Sequence, residues 1–502
     1  MQFNSMIFLL LFLPIVVFGY YRAPSGIKNV ILLAASLLFY SWGSPLYLLV
    51  LAFYVVFNYF AGLQIEQAAL AESGEGEMPV KWKSGGILLS KLLTITTVAG
   101  NCAVLVLFLA FNPLYGGLAS MFSSSATASA VLPLPLGIGF FTLSAISYAV
   151  DLYMGRIDAE RSIFNFALYL SFFPKVIGGP LVRYGEFAPQ LPIAKKTRRR
   201  QGRGQETILW SEGRRPSKKL IGSGLNLFLI GLFKKVLIAD GLLQAFQPIL
   251  TAPKRSILSA WLGILYFGFG IYFDLSGLSD MAIGLARMFG FEIARNFDRP
   301  YHVYTLREVW QKFDISVKSF FMDYVYLPLG GSIGSIKSQA INLCVSWVAA
   351  GLWHGIGINF AVWGLWNAGF ILLERCVIRD RLDRLPGLVR RFLTLLVVFL
   401  GWIFLFSNGI GGALVYFGAL IGAGGAGFAD AIGGFSMGGN FLLLVLSLFL
   451  CTPYASRLYN GVMTRKNDAR IVVSIILYVL LFIVCLSGIA SGNSAASLAR
   501  LF

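Results

Sequence analysis

The chain has 502 residues, of which 57% are hydrophobic and 13% are charged. Its mean hydropathy of +0.74 excludes an ordinary soluble globular protein, because no soluble chain of this size needs so much apolar surface. The formal net charge of +18 does not indicate nucleic-acid binding, since no nucleic-acid motif accompanies it. It is typical of a polytopic membrane protein with basic cytoplasmic loops.

The five cysteines are odd in number, lie in or beside apolar runs and show no CxxC spacing. They indicate neither a disulfide framework nor a zinc site. We therefore expect no bound metal.

Apolar runs predict the membrane helices in chain order. The first, Leu9–Tyr20, has no basic region before it and no small-residue cleavage site, so we expect a retained membrane helix rather than a removed signal peptide. The further runs are 30–40, 48–63, 96–111, 132–153, 220–243, 257–276, 392–406, 413–423, 441–451 and 471–486. A polar loop is predicted at Glu66–Lys91. With the region around residue 354 and re-entrant elements, we expect about 11 to 13 membrane segments in one all-α domain covering 1–502.

Two interruptions depart from this simple pattern. The run from Phe164 to Ile177 is short and ends at "GGP", which favours a re-entrant element over a span. Arg183 follows the break; it could meet donor phosphates or a lipid headgroup, or anchor the re-entrant turn. Further on, Asp274, Asp280 and Arg287 lie among apolar residues, where we expect them to be paired or hydrated.

A basic segment occupies about 191–219, with ten Lys or Arg against two Glu from Ala194 to Lys219. The positive-inside rule predicts that it is cytoplasmic. A solvated loop and a contact with phospholipid headgroups both remain open.

Neutral-pH proton chemistry has few places to occur, since the chain has only two histidines, His302 and His354. His354 lies between the apolar runs "SQAINLCVSWVAAGLW" and "INFAVWGLWNAGFILLE". An ionisable ring at membrane depth indicates a functional site, and the alternative is a histidine that only hydrogen-bonds between helices. His302 lies in a Pro-bounded polar turn, which predicts a structural role.

Common hydrolase and nucleotide motifs give no competing site. "GGSIG", Gly330–Gly334, matches the nucleophile-elbow pattern by letters only, because it lacks the strand–turn–helix context. The chain has no HExxH motif, Walker A motif or GxGxxG in a βαβ unit. One histidine acting as general base toward a hydroxyl leaves acyl transfer from a thioester open.

An ordered series of motifs resembles the membrane-bound O-acyltransferase (MBOAT) family. The series includes "LPLGIGFFTLSAISYAVDLYMGR", "FFPKVIGGPLVRYGEFAPQL", "GLFKKVLIAD", "YFDLSGLSDMAIGLARMFGF", "NFDRPY", "DYVYLPLGG" and "GLWHG…NFAVWGLWNAGFILLER". The resemblance runs from Met1 to about Gly422 and is strongest to the bacterial branch that holds alginate O-acetyltransferase.

The resemblance implies a ring of helices around a funnel or tunnel in a bacterial inner membrane. The family's essential histidine falls on His354. Members pass an acyl group, usually acetyl in this branch, from a cytoplasmic thioester such as acetyl-CoA to an acceptor across the membrane. The acceptor is a polysaccharide or an extracytoplasmic partner protein, and the donor is a substrate rather than a tightly bound cofactor.

The chain departs from the branch where relatives read "WRRWHIS" and it reads "WQKFDIS". Asp314 therefore replaces a second motif histidine. It could orient His354 or hold it as imidazolium, or it could pair locally with Lys312 or Lys318.

Further residues are predicted to line the site. Trp310, Trp353 and Trp363 are expected to be packing or tunnel walls rather than direct participants. Asp323 and Tyr324 are secondary candidates. The sequence thus predicts an acetyltransferase serving an exported or cell-wall polysaccharide. Its rivals are a D-alanyl transferase of teichoic acid and an inactive relative acting as a transporter or scaffold.

Overall fold

A computed structural model of the protein describes residues 1–42, 45–73, 88–122, 134–193, 196–201, 205–210, 213–214, 216–463 and 468–492. The chain forms two compact units. The first comprises Met1–Leu227 with Ala282–Ala294, and the second comprises Phe228–Met281 with Arg295–Phe502. The single domain predicted over 1–502 stays a prediction.

Helices build the first unit. They are a π-helical turn at Phe8–Phe12 and α1 (Leu13–Arg22), α2 (Lys28–Ser41), α3 (Tyr47–Ser73), α4 (Leu89–Phe122), α5 (Ile138–Tyr153), α6 (Ile163–Ser171), α7 (Phe173–Val176) and α8 (Tyr184–Phe187). The polar loop predicted at Glu66–Lys91 is shorter than expected, because α3 and α4 extend into it. Its centre, 74–87, lies outside the described residues, as do 132–133 at the start of the predicted fifth run.

The break predicted at the end of the run from Phe164 to Ile177 is present. Helix α6 has 9 residues, which span about 14 Å, whereas a bilayer core is about 30 Å thick. The chain turns at Phe172, and α7 holds only four residues before Gly178, whose φ of +91° is in the left-handed region. This segment is therefore too short and too broken to be a span.

The helices of the second unit include two that are shared with the first unit: one begins there and the other ends there. They are α9 (Lys218–Phe233) continued by a π-helical turn at Lys234–Ala239, α10 (Asp240–Thr251), α11 (Ile257–Met288), α12 (Leu306–Lys312), α13 (Ile315–Phe321) with a π-helical turn at Met322–Tyr326, α14 (Ile336–His354), α15 (Ile358–Leu373) with a π-helical turn at Glu374–Ile378, α16 (Arg379–Asp383), α17 (Gly387–Phe406), α18 (Gly409–Leu420), α19 (Ala431–Leu450), α20 (Pro453–Met463) and α21 (Asp468–Ala490).

Seven helices in the described residues are long and apolar enough to cross a membrane: Tyr47–Glu72, Leu89–Phe111, Lys218–Thr251, Ile257–Met288, Ile358–Asp383, Gly387–Phe406 and Ala431–Leu450. Five shorter apolar helices of 10–17 residues accompany them. The prediction of an all-α, multi-pass membrane protein is confirmed, and the ring around a tunnel stays a prediction.

The basic segment differs from the predicted loop. Strands β1 (Lys196–Gln201) and β2 (Gln205–Trp210) pair antiparallel, with Lys196 opposite Trp210. Residues 194–195, 202–204, 211–212 and 215 lie outside the described residues. Apart from this hairpin, the regular elements in the described ranges are helical.

Helix α11 is longer than predicted, because it continues through Asp274 and Asp280 to Met288. Both carboxylates are paired. Lys235 Nζ lies 2.8 Å from Asp274 Oδ1 and 2.5 Å from Asp240 Oδ1, and these side chains are almost completely buried. Lys234 Nζ lies 2.6 Å from Asp280 Oδ2 in a less buried pair. The pairing that the sequence led us to expect makes these charges tolerable inside the helix.

Candidate active site

Two helices in close contact, α14 and α15, position His354. Ser335 caps the start of α14, because its hydroxyl accepts a hydrogen bond from the Ser338 N–H at 3.2 Å. A Cβ atom on Gly351 would overlap the Phe360 carbonyl, and one on Gly364 would overlap the Trp347 carbonyl. Glycine at both positions lets the two backbones touch, which is how membrane helices often pack.

His354 is the last residue of α14, and the chain leaves in extended conformation at Gly355. The half-buried imidazole lies between two indoles. Its ring centroid is 4.9 Å from Trp353 and 5.3 Å from Trp363, the latter at an interplanar angle of 84°. The end of the helix thus presents a titratable ring to an aromatic wall.

That wall continues as a cluster of four tryptophans from four helices, Trp310, Trp347, Trp363 and Trp402, which we call the tryptophan cluster. Trp310 is 5.0 Å from Trp347 and 5.5 Å from Trp363 between ring centroids. Trp402 stacks on Trp363 at 6.2 Å and 22°. The cluster therefore joins α12, where Trp310 lies, to the helix face that contacts His354.

Asp314 occupies the corner between α12 and α13. Its φ of +45° and ψ of +59° place it in the left-handed region, which Asp adopts more readily than most residues. The side chain of Asn296 stabilises this turn with two hydrogen bonds. Its Nδ2 donates to Asp314 Oδ1 at 2.9 Å, and its Oδ1 accepts from the Ser316 N–H at 2.8 Å. The Ile315 N–H donates to the Asn296 carbonyl at 2.9 Å.

The contacts of Asp314 bear on both of its predicted roles. Among the described residues, its carboxylate is hydrogen-bonded by Asn296 and the first turn of α13, not by His354. The expected local pair is also absent there, because neither Lys312 nor Lys318 forms an ion pair with it. Burial raises the pKa of Asp314 to about 6, although the hydrogen bond from Asn296 acts in the opposite direction.

Asp323 and Tyr324 lie in the π-helical turn that follows α13, and both are half-buried. The Ser319 hydroxyl donates to Asp323 Oδ2 at 3.4 Å, and the Tyr324 ring lies 4.9 Å from Phe320. Trp353, beside His354, is buried and lies 6.4 Å from Phe321. The second unit therefore contains every predicted site residue except one.

Arg183 is the exception, because it belongs to the first unit. It is half-buried at the start of α8, where its carbonyl accepts hydrogen bonds from the N–H groups of Glu186 and Phe187. Its predicted contact with donor phosphates stays a prediction.

Sequence reasoning missed three residues that shape the site. Trp347 and Trp402 lie in runs that read as ordinary apolar helix. Asn359 donates to the Phe404 carbonyl at 2.8 Å and thereby ties the start of α15 to the end of α17. An Asn in an apolar run is a signal for such a contact. No group of three or more His, Cys, Asp or Glu side chains in the described ranges could hold a metal ion.

The sequence model of the MBOAT, membrane-bound O-acyltransferase family matches residues 137–410, which include Asp314 and His354. The chain is 32% identical over 409 residues to the protein named "Probable alginate O-acetylase AlgI" of Azotobacter vinelandii, covering 80% of this chain and 74% of that one. It is 29% identical to the peptidoglycan O-acetyltransferase of Helicobacter pylori, covering 84% and 80%. Identity to the teichoic acid D-alanyltransferase of Bacillus subtilis is 22%, covering 46% and 57%. With more than half of its length matched, the chain belongs to the membrane-bound O-acyltransferase family.

Proposed function

We propose that the protein transfers an acetyl group from a thioester donor to a hydroxyl of an exported or cell-envelope polysaccharide in a bacterial plasma membrane. The names of the relatives support this, since they act on alginate and peptidoglycan. The donor, such as acetyl-CoA, is a substrate that arrives from the cytoplasm. The acceptor is the polymer itself or an extracytoplasmic partner protein.

The observation that carries the proposal is the placement of His354. A single imidazole at the end of α14, held against Trp353 and Trp363, lies within the part of the chain that matches the family. A general base must be fixed in orientation and able to change its charge during the reaction. The ring contacts fix the orientation of the imidazole, and an imidazole can take up and release a proton near neutral pH.

In the proposed reaction, His354 takes the proton of the acceptor hydroxyl while the hydroxyl oxygen attacks the thioester carbonyl. The tetrahedral intermediate collapses, the C–S bond breaks, and the imidazolium returns its proton to the leaving thiolate. A cation at a helix C-terminus is stabilised by about 0.3–1 kcal/mol. This effect favours the imidazolium that forms while the reaction proceeds.

We assign Asp314 a positioning role rather than direct contact with the base. Its hydrogen bond from Asn296 fixes the corner that follows α12, and α12 carries Trp310 into the tryptophan cluster. This chain of contacts ends at Trp363, which contacts His354. Asp323, Tyr324, Trp310, Trp353 and Arg183 are proposed to line the donor or acceptor path.

Free-thiol release from acetyl-CoA by the purified protein, with membrane extract as acceptor, tests the proposal. His354→Gln should reduce the rate by about 10²–10⁴-fold. His302→Gln, which alters the other histidine, should leave it near the wild-type rate. Release that persists in His354→Gln would exclude His354 as the base. Release from a D-alanyl thioester but not from acetyl-CoA would favour the D-alanyl alternative, and none from either would favour the inactive relative.

A further inference from the structure

A groove of about 460 Å³ lies in the first unit. The start of α9, the last turn of α11 and the chain that follows it form its walls. The lining residues are Leu220, Ser223, Arg287, Glu292, Ile293 and Ala294. The predicted function uses none of them.

The turn after α11 is held firmly, so one wall of the groove is preformed. Tyr20 Oη donates to the Phe289 carbonyl at 2.8 Å, and Tyr21 Oη donates to the Met288 carbonyl at 2.7 Å. Gly290, with a φ of +84°, lies so close to Pro216 that a Cβ atom there would be 3.1 Å from the proline ring. This contact holds the start of α9 against the turn.

A second set of bonds fixes the outer wall. The Gln190 amide donates to the Glu292 carbonyl at 3.0 Å and accepts from the Glu292 N–H at 2.7 Å. This reciprocal pair holds the backbone of the lining residues in place. Because the walls are fixed before any ligand binds, little ordering free energy would oppose binding.

Arg287 is the cation that lines the groove. It is half-buried, and within the described residues it forms no ion pair. Nearby Arg214 differs, because its guanidinium donates to the Gln190 and Leu191 carbonyls and stacks over the Phe291 ring at 4.3 Å. Arg287 therefore has donors to offer where Arg214 does not.

The other polar groups are few. The Ser223 hydroxyl already donates its proton to the Leu220 carbonyl at 3.2 Å. Glu292 is exposed and is the acidic lining residue. Lys218 and Lys219, both exposed, precede Leu220 in the first turn of α9. The balance of charge around the groove is positive.

We propose that this groove binds a phosphate group, with Arg287 as its principal ligand. The planar guanidinium fork matches phosphate oxygens in bidentate geometry. Basic pockets at the ends of membrane helices are suited to phosphorylated headgroups. The phosphate belongs either to the thioester donor, in which case the inference rests on the proposed function, or to an anionic phospholipid.

Equilibrium binding to the full chain in phosphatidylcholine nanodiscs distinguishes the two sources. The probes are acetyl-CoA, which carries phosphates, and acetyl-pantetheine, which carries none. If the donor supplies the phosphate, Arg287→Gln should weaken acetyl-CoA binding about tenfold and leave acetyl-pantetheine binding unchanged. Arg287→Lys should restore only part of the loss, because a lysine lacks the fork.

If a lipid supplies the phosphate, acetyl-CoA binding stays unchanged in Arg287→Gln. Phosphatidylglycerol should then remain with the wild-type protein after exchange into phosphatidylcholine, but not with the variant. Ser223→Trp, which fills the groove, should reproduce whichever loss occurs. Arg384→Gln removes an exposed arginine elsewhere and should change neither.

The inference is overturned if Arg287→Gln and Ser223→Trp both keep wild-type affinity for acetyl-CoA and retain phosphatidylglycerol like the wild type. Thiol release from acetyl-pantetheine is independent of the groove. Its absence in the wild type would count against the proposed function and would leave the phosphate measurements valid.

Discussion

Replacement of Gly351 by alanine tests whether contact between α14 and α15 holds His354 in place. The added methyl would meet the Phe360 carbonyl well inside the 3.0 Å that Cβ atoms keep from other heavy atoms. Backbone cannot rotate away as a side chain can, so the two helices must separate by about 1 Å. His354 lies three residues further along α14 and would move with it.

The expected magnitude has two parts. Forcing a methyl into a packed contact costs about 1–3 kcal/mol, whereas alanine in place of glycine returns up to about 1 kcal/mol of helix propensity. The net loss of stability should therefore be about 1–2 kcal/mol. A displacement of about 1 Å at a catalytic group costs about 10²-fold in rate, so activity should fall far more than stability.

Gly369→Ala is the matched control, because a Cβ atom on this glycine of α15 would have no heavy atom within 4 Å. Thiol release and the thermal midpoint in detergent should be measured for both variants beside the wild type. Gly369→Ala should keep its activity and its stability. Equal activities of Gly351→Ala and Gly369→Ala would refute the idea that this contact positions His354.

Three further substitutions probe other contacts. Asp314→Asn should stabilise the protein at pH 7 by about 2 kcal/mol more than at pH 4. The pKa of Asp314 in the folded protein, about 6, lies above its ordinary value of about 3.9. The wild type therefore loses stability as the pH rises from about 4 to about 6, and the variant does not. Asn359→Ala should lower stability by about 1 kcal/mol, because two carbonyls of the α17 terminus lose its amide. Lys235→Met should cost about 3–5 kcal/mol, because it leaves buried carboxylates without their cation.

Thermal midpoints of the purified variants check all three, the first of them across pH. A pH-independent difference between Asp314→Asn and wild type would contradict the raised pKa. Asn367→Ala is the control for Asn359, since the Asn367 amide bonds a carbonyl of its own helix. Lys234→Met is the control for Lys235, because its pair with Asp280 is partly exposed and should cost less. A larger loss from either control than from its partner would reverse the corresponding argument.

Much of the helical framework could be predicted, because apolar runs long enough to span a bilayer leave little alternative. The predicted ends were less certain where polar residues occur inside a helix. The predicted run ended at residue 276, yet α11 continues through Asp280 to Met288, and Lys234 pairs with the Asp280 carboxylate. The run predicted at 441–451 likewise begins ten residues late, because α19 begins at Ala431. Neither outcome follows from local sequence, since the partners are distant in the chain.

The candidate site, like the fold, could be predicted from the sequence only in part. His354 was identifiable because histidine is rare in this chain and one of the two lies between apolar runs. The tryptophan cluster was not, because it combines residues from four helices that are up to 92 positions apart, from Trp310 to Trp402. Asn296 and Asp314 are 18 positions apart in the chain, and no periodicity of the sequence predicts the hydrogen bond between them. A rare residue type can identify a candidate functional residue in the sequence, but which side chains surround that residue depends on tertiary packing.

The π-helical turn at Lys234–Ala239 has a consequence for comparing this chain with its relatives. A π-helical turn holds one residue more than the α-helical ladder around it. One residue corresponds to about 100° of rotation in an α-helix. Deletion of a single residue here would barely shorten the helix. It would, however, rotate Asp240 and the rest of α10 about the helix axis, so that their side chains would contact different neighbours. A one-position gap within "KKVLIA" in an alignment would therefore signify a rotated helix face rather than a trimmed loop.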